Sequence, residues 1–176
     1  MTKENIKSKK GFTIIEVVLV LAIAGLIFLM VFVALPALQR SQRDTQRRDD
    51  MARFMSQLSQ YQANNNGQVP SGNNPTAIQA SYNRFITNYL KAGGDTFADP
   101  STGADYKIVA AVKCTTGSAG CPNQTTSTTA EYSALGAISV YTNATCNGEN
   151  PVYIKGDRKV AITLKLEGAG IYCGHN

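Results

Sequence analysis

The sequence predicts an α+β protein, in which a long N-terminal helix, half of it transmembrane, packs on a small antiparallel sheet of three to four strands. Three patterns lead to this class. Residues 12–38 form one apolar block, an amphipathic helical pattern continues to about residue 62, and short apolar runs between turn residues follow. The length of 176 residues suits one globular domain with an appendage.

The apolar block, FTIIEVVLVLAIAGLIFLMVFVALPAL, has 27 residues and one charged side chain. At about 1.5 Å of rise per residue, a helix of this length crosses a hydrocarbon core of about 30 Å. The preceding segment is basic and contains Lys3, Lys7, Lys9 and Lys10. This bias predicts a cytoplasmic N-terminus in a single-pass protein of the inner or cytoplasmic membrane, with the remaining chain outside.

The order of residues around the block is not that of an ordinary secretory signal, in which small residues follow a shorter apolar stretch. Here Gly11 precedes the block and Phe12 begins it. Cleavage between them would remove the basic leader and keep the helix. Glu16 has two interpretations, because its carboxylate is either stabilised by the helix N-terminus or paired with a cation of a neighbouring subunit.

The residues Lys9, Lys10, Gly11, Phe12, Thr13 and Glu16 resemble the class III signal of type IV prepilins and of type II secretion pseudopilins. The resemblance implies that a prepilin peptidase cuts after Gly11 and methylates the new N-terminus at Phe12. It also implies that Glu16 meets the N-terminal amine of an adjacent subunit. The family has the pilin fold, a long helix lying against a small sheet.

Gly25 and Pro36 weaken the predicted helix, since glycine is flexible and proline removes a backbone donor. Membrane helices tolerate both residues. In pilins, a glycine and a proline at similar places bracket a stretch that unwinds when subunits pack. Gly25 matches that pattern, whereas Pro36 lies three residues later than usual.

The resulting layout is a leader at 1–11, a filament-core helix at 12–38, an amphipathic continuation at 39–62 and a head at 63–176. In the continuation, apolar residues recur at Met51, Met55, Leu58 and Tyr61. Opposite charges stand at i,i+4 in Arg40 with Asp44, Asp44 with Arg48, and Asp49 with Arg53. These pairs are interpreted as a solvated face, and contact with neighbouring heads is the alternative.

The head begins with a loop at 64–75 that is dense in Asn, Gly and Pro. Asn74 is predicted to cap a short helix that begins at Pro75 and stops near Gly93. Its helically spaced apolar residues are interpreted as core rather than as a ligand-stacking surface: Ile78, Tyr82, Phe85, Ile86, Tyr89 and Leu90.

Strands are predicted at 106–112, 135–141 and 159–166, with a short edge strand at 171–173. A DP-G-Y turn before the first strand resembles one found in pseudopilins and many pilins. The Thr-rich segment 115–131 is predicted to be an exposed loop or hairpin tip. The head also contains N-x-T sequons at Asn123 and Asn143.

All four cysteines lie in the C-terminal third, beyond the membrane segment, which favours two disulfides in an oxidising compartment. Four cysteines allow three pairings. The preferred one joins Cys114 to Cys121, which closes a short loop, and Cys146 to Cys173, which ties down the chain end.

The sequence contains no GxSxG, HExxH, P-loop or GxGxxG motif, and His175 is its one histidine. We therefore predict that the protein is not an enzyme and has no cofactor or metal. Asp95, Asp99 and Asp105 do not fit the ligand spacing of a calcium loop. The net charge of +5 lies mainly in the leader, so nucleic-acid binding is not indicated.

These patterns predict a structural subunit of a type IV pilus, a surface filament for adhesion, twitching motility or DNA uptake. Its partners would be copies of itself in a helical filament, the prepilin peptidase, and the assembly ATPase and platform machinery. The first alternative is a pseudopilin of a type II secretion or competence system. The second is a membrane-anchored binding or enzymatic domain with an uncleaved anchor.

Overall fold

Helix α1 runs from Ile14 to Asn64 in the computed structural model, which describes residues 11–116, 121, 134–168 and 170–176. The predicted long N-terminal helix is therefore confirmed. The chain divides into two compact units, Met1–Gln39 and Arg40–Asn176. The second unit, called the head below, contains the C-terminal part of α1 and all the strands.

The C-terminal part of α1 contributes one face to the core of the head. Met51, Phe54 and Leu58 follow at helical spacing and are fully buried. Phe54 lies at the centre of an aromatic group, with its ring centroid 5.2 Å from that of Phe85 and 6.3 Å from that of Phe97. Aromatic pairs in this range add to the free energy gained from burial alone. This contact accounts for the packing of the helix on the head.

Helix α2 comprises Pro75–Phe85 and begins as predicted, with the Asn74 side chain accepting a hydrogen bond from the Ala77 N–H at 2.8 Å. One turn of π-helix follows at Ile86–Leu90, and Gly93 ends the segment with φ of 77°. The predicted core role of its apolar residues is confirmed, since Tyr82, Phe85, Ile86 and Leu90 are buried and Ile78 and Tyr89 pack against them.

The main sheet has four strands: β1 at Lys107–Lys113, β2 at Ala137–Thr142, β5 at Val160–Lys165 and β6 at Ile171–His175. Their order is β1-β2-β5-β6. The α+β class is confirmed, but β1 and β2 pair in parallel, so the sheet is mixed rather than wholly antiparallel. Parallel neighbours need a long crossover, and residues 114–136 supply it.

A second, two-stranded sheet was not predicted. It pairs β3 at Ala144–Asn147 with β4 at Asn150–Tyr153 in antiparallel register. The two-residue connection begins with Gly148, whose φ of 62° suits a tight hairpin. Both strands have only four residues, too few for a strand pattern to stand out in the sequence.

Replacing Phe54 with Ala should lower the free energy of unfolding of the head by about 3–5 kcal/mol, because it leaves a cavity among three aromatic rings. Ser56→Ala is the matched control on the exposed side of the same helix and should change it by less than about 0.5 kcal/mol. Denaturant titration in detergent, followed by near-UV circular dichroism, measures both. Equal stabilities would contradict this assignment of the core.

Candidate functional site

The start of α1 forms a reciprocal cap between Thr13 and Glu16. The Thr13 N–H and hydroxyl both donate to Glu16 Oε2, at 3.0 and 2.9 Å, and the Glu16 N–H donates to Thr13 Oγ1 at 3.4 Å. This is the capping-box arrangement of a Thr followed three residues later by a Glu. The carboxylate therefore accepts the Thr13 N–H, and the Thr13 hydroxyl accepts the Glu16 N–H, so each side chain satisfies one backbone donor at the start of the helix.

The segment on both sides of Glu16 is apolar and uncovered. The side chain of Phe12 is 90% exposed, that of Ile14 85% and that of Ile15 76%. Among the described residues, α1 is the helix that is long and apolar enough to cross a bilayer, and none of its most apolar stretch is buried within the protein. Such a segment must be covered by lipid or by other protein chains.

Gly25 and Pro36 both lie inside α1, which is helical through both positions. A Cβ atom added at Gly25 would meet nothing within 4 Å. The Pro36 ring removes one donor from the helical ladder. Unwinding between these two residues on assembly therefore stays a prediction.

Residues 6–32 match the family described as the prokaryotic N-terminal methylation motif. They carry the class III signal peptide of type IV pilins and pseudopilins. The matched range contains Gly11, Phe12, Glu16 and Gly25, whereas Pro36 lies beyond it. Comparison with curated proteins and with solved structures found no match.

The class III signal supports a type IV pilin-like or pseudopilin protein and so points to a structural subunit. It implies processing by a prepilin peptidase and entry into a pilus-like machinery. Together with the apolar part of α1, it supports anchoring of the precursor in the membrane. Residues 1–10 of the basic leader lie outside the described part of the chain.

Two disulfides cross-link the head. Cys114 is bonded to Cys121, seven residues further along the chain, and Cys146 in β3 is bonded to Cys173 in β6. The second bond joins the small hairpin to the edge of the main sheet. The predicted exposed loop at 115–131 lies mostly outside the described residues, which include only 115, 116 and 121 of it.

A buried ion cluster lies where α1 meets two turns of the head. Arg47 is fully buried and forms two hydrogen bonds with the Asp99 carboxylate, of 2.6 and 3.0 Å. It also donates to Asp44 at 2.8 Å, to the Ser101 hydroxyl at 2.8 Å and to Glu167 at 3.3 Å. A fork of guanidinium donors suits several acceptors at once. We call Arg43, Asp44, Arg47, Asp99 and Glu167 the Arg47 cluster.

The interpretation of the helix charges as a solvated face of i,i+4 pairs is wrong for Asp44. This residue is buried and pairs with Arg47, at i+3, rather than with Arg40 or Arg48. Arg53 likewise faces Asp95 at 3.5 Å and the Leu90 carbonyl. No local pattern in the sequence indicates a role for Arg47, because its principal partner, Asp99, is 52 residues away in the chain.

The three aspartates considered for calcium each pair with a different cation. Asp99 belongs to the Arg47 cluster, Asp95 faces Arg53, and Asp105 lies 2.5 Å from the Lys91 ammonium. Asp99 also accepts hydrogen bonds from the Ser101 and Thr102 N–H groups, at 2.9 and 3.2 Å. Its oxygens therefore hold a turn and an arginine.

The side chain of Asn143, in one of the two sequons, is not accessible for glycosylation. Asn143 is only 8% exposed and its φ is 58°, the left-handed region that Asn tolerates. With its amide oriented to donate, the side chain reaches Asp157 Oδ1 and the Gly156 carbonyl, both at 3.1 Å. The other sequon, at Asn123, lies outside the described residues.

The Arg47 cluster makes its carboxylates more acidic. Burial raises the pKa of Asp99, but hydrogen bonds from Arg47 and Ser101 outweigh it and bring the pKa to about 2. Burial also raises the pKa of Asp44. Hydrogen bonds from the Glu167 and Gly168 N–H groups and from Arg47 lower it by more, so the pKa lies below its usual value. The hydrogen bond from Arg43 lowers the pKa of Glu167.

We expect the head to lose stability as the pH falls from about 4 to about 2. A carboxylate with a lowered folded pKa stabilises the fold above its unfolded pKa of about 4, and this stability disappears as the pH falls through the folded value. Asp50 acts in the opposite direction, because burial raises its pKa. Thermal unfolding of wild type and Asp99→Asn from pH 7 to 2 measures the effect. The variant should show the shallower pH dependence, and parallel curves would contradict the assignment.

Proposed function

We propose that this protein is a structural subunit of a type IV pilus, cut between Gly11 and Phe12 and N-methylated at Phe12. The observation that carries the proposal is the uncovered apolar segment 12–38, which begins within the matched class III signal and contains one carboxylate, that of Glu16. The leader, residues 1–11, is removed, and residues 12–38 then pass from the membrane into the filament core. Residues 39–62 continue the helix, and residues 63–176 complete the head, which lies on the outside of the filament.

The exposed apolar side chains explain why the subunit needs a covering, but they do not by themselves favour assembly. Lipid tails are as apolar as leucine, so moving the helix from lipid to protein gains little from the hydrophobic effect. A polar pair is different, because an unpartnered charge is costly in an apolar environment. Glu16 is the charged side chain of the 12–38 segment.

We assign Glu16 the role of partner for the N-terminal amine of an adjacent subunit. In the described part of the chain its Oε2 is occupied by the Thr13 cap, whereas Oε1 accepts no hydrogen bond. Cleavage before Phe12 would create an ammonium group that needs a carboxylate. Each charge would be costly alone inside a filament and stabilising when joined, so the pair would select the register of the subunits.

Gly25 and Pro36 are proposed to bound a stretch of α1 that unwinds during assembly. Pro36 leaves the carbonyl of Phe32 without its usual helical donor, and glycine at position 25 lowers the helix propensity of the segment. A locally extended segment of the chain would lengthen the connection between the apolar segment and the head. Both residues precede the Arg47 cluster, which belongs to the head.

The head is proposed to lie outside the cell. Two disulfides favour an oxidising compartment, and the lysines before the apolar segment favour a cytoplasmic leader. The partners are then identical subunits, a prepilin peptidase, and an assembly ATPase with its membrane platform.

A pseudopilin of a secretion or competence system is the second candidate, since the class III signal is common to both groups. Electron microscopy of sheared surface material distinguishes them. Long fibres containing this protein support the pilus, whereas loss of secretion or transformation in a deletion strain without recoverable fibres favours the pseudopilin.

Glu16→Ala and Glu16→Val should each leave membrane insertion intact and abolish or cripple filament assembly, because the neighbour's amine would lose its carboxylate. Glu149→Ala, which removes an exposed carboxylate from the head, is the control and should assemble normally. Membrane fractionation and immunoblotting of sheared fibres give the two readouts. Normal piliation in either Glu16 variant would show that this carboxylate is not needed for filament assembly.

Terminal sequencing and mass spectrometry of native protein should show a chain that begins with N-methylated Phe12. Cells that lack the prepilin peptidase provide the control and should retain residues 1–11. A native protein that keeps Met1–Gly11 in cells with active peptidase would favour an uncleaved membrane anchor instead.

A further inference from the structure

We infer that the Arg47 cluster couples two separate turns of the head to helix α1, so that both turns open and close together. The first turn, 99–103, precedes β1, and the second, 167–168, joins β5 to β6. The inference concerns the head alone and holds whether the subunit enters a pilus or a pseudopilus.

The first turn is attached to α1 through Asp99. Its carboxylate receives two hydrogen bonds from Arg47 and also binds the Ser101 and Thr102 N–H groups. The turn closes with a hydrogen bond of 2.8 Å from the Gly103 N–H to the Asp99 carbonyl. One side chain thus holds both the helix and the backbone of the turn.

The second turn is attached to the same part of α1 through Asp44. The two Asp44 oxygens accept hydrogen bonds from the N–H groups of Glu167 and Gly168, at 2.8 and 2.7 Å. A Cβ atom at Gly168 would lie 2.9 Å from Asp44 Oδ2, so a side chain there would displace the carboxylate. The Glu167 side chain pairs with Arg43, with a nitrogen–oxygen distance of 2.5 Å.

Arg47 joins the two attachments because it donates to Asp99, to Asp44 and to Glu167. The cluster contains three carboxylates and two guanidinium groups, so each carboxylate depends on cations that the others share. Loosening Arg47 from one turn disturbs its geometry toward the other. Members of one ion network show coupling energies of this kind, whereas isolated surface pairs do not.

As a consequence, the contacts of α1 with the two turns form together rather than one after the other. Residues 40–42 are exposed, so Arg43, Asp44 and Arg47 are the first residues of α1 within the head that bind its other elements. A shift of the helix along its axis would break the attachments to the turn before β1 and to the β5–β6 connection together. A force applied to the apolar segment would therefore be transmitted through this cluster to three of the four strands, namely β1, β5 and β6.

Hydrogen exchange of the full chain in detergent micelles tests the coupling, with Asp99→Asn as the principal variant. Asp99 has no hydrogen bond to the second turn, yet its substitution should lower protection of the Glu167 and Gly168 amides by about tenfold, as for a coupling near 1.4 kcal/mol. The reciprocal variant, Glu167→Gln, should lower protection of the Ser101 and Thr102 amides.

Asp105→Asn is the matched control, since exposed Asp105 lies in the same loop but pairs with half-buried Lys91 outside the cluster. It should leave the second turn unchanged. If Asp99→Asn does not fold, Ser101→Ala removes one donor–acceptor contact with Arg47 and should show a smaller effect in the same direction.

Amides of the central β2–β5 pair, such as Val140 and Ile162, provide the reference for global unfolding. The coupling predicts a loss of protection at both turns with these strand amides unchanged. A loss confined to 99–103, or an equal loss throughout the head, would overturn it.

Discussion

The apolar half of α1 is the constraint on which the rest of the structure depends, because its side chains are exposed and cannot remain in water. Lipid covers them before assembly, and in the proposed filament the helices of other subunits do so. Because these two environments are similarly apolar, the choice between them depends on polar groups. Thr13 and Glu16 are the polar side chains at the start of this helix, and their reciprocal cap keeps the carboxylate hydrogen-bonded while the subunit is alone.

The head has a different requirement, which is to hold the C-terminal part of α1 in a fixed position. Phe54 and its aromatic neighbours supply the packing, and the Arg47 cluster supplies the directional bonds. Buried ion pairs contribute little net stability compared with apolar packing, but a broken one is costly. The cluster therefore fixes where the helix lies against the turns, while the aromatic core provides most of the free energy. The two disulfides act elsewhere, on the strand ends and the small hairpin.

Local signals made much of the fold predictable from sequence. The apolar block predicted α1, and Asn74 with Pro75 predicted the start of α2. Long-range pairing was not accessible in the same way. The parallel pairing of β1 with β2 depends on the path of a 23-residue connection, and four-residue strands hide the β3–β4 hairpin. Arg47 was missed because i,i+4 spacing is a local rule, whereas its partners Asp99 and Glu167 are 52 and 120 residues away.

In the proposed assembly, the helix exchanges lipid for identical neighbours, and Glu16 meets the amine of processed Phe12. Electron cryomicroscopy of fibres sheared from cells tests it most directly. We expect a core of packed 12–38 helices, in which the Phe12 nitrogen lies within about 3 Å of a neighbouring Glu16 carboxylate. Processed protein recovered only as dispersed monomers from cells with the full export apparatus, or fibres whose Glu16 faces no amine, would contradict it.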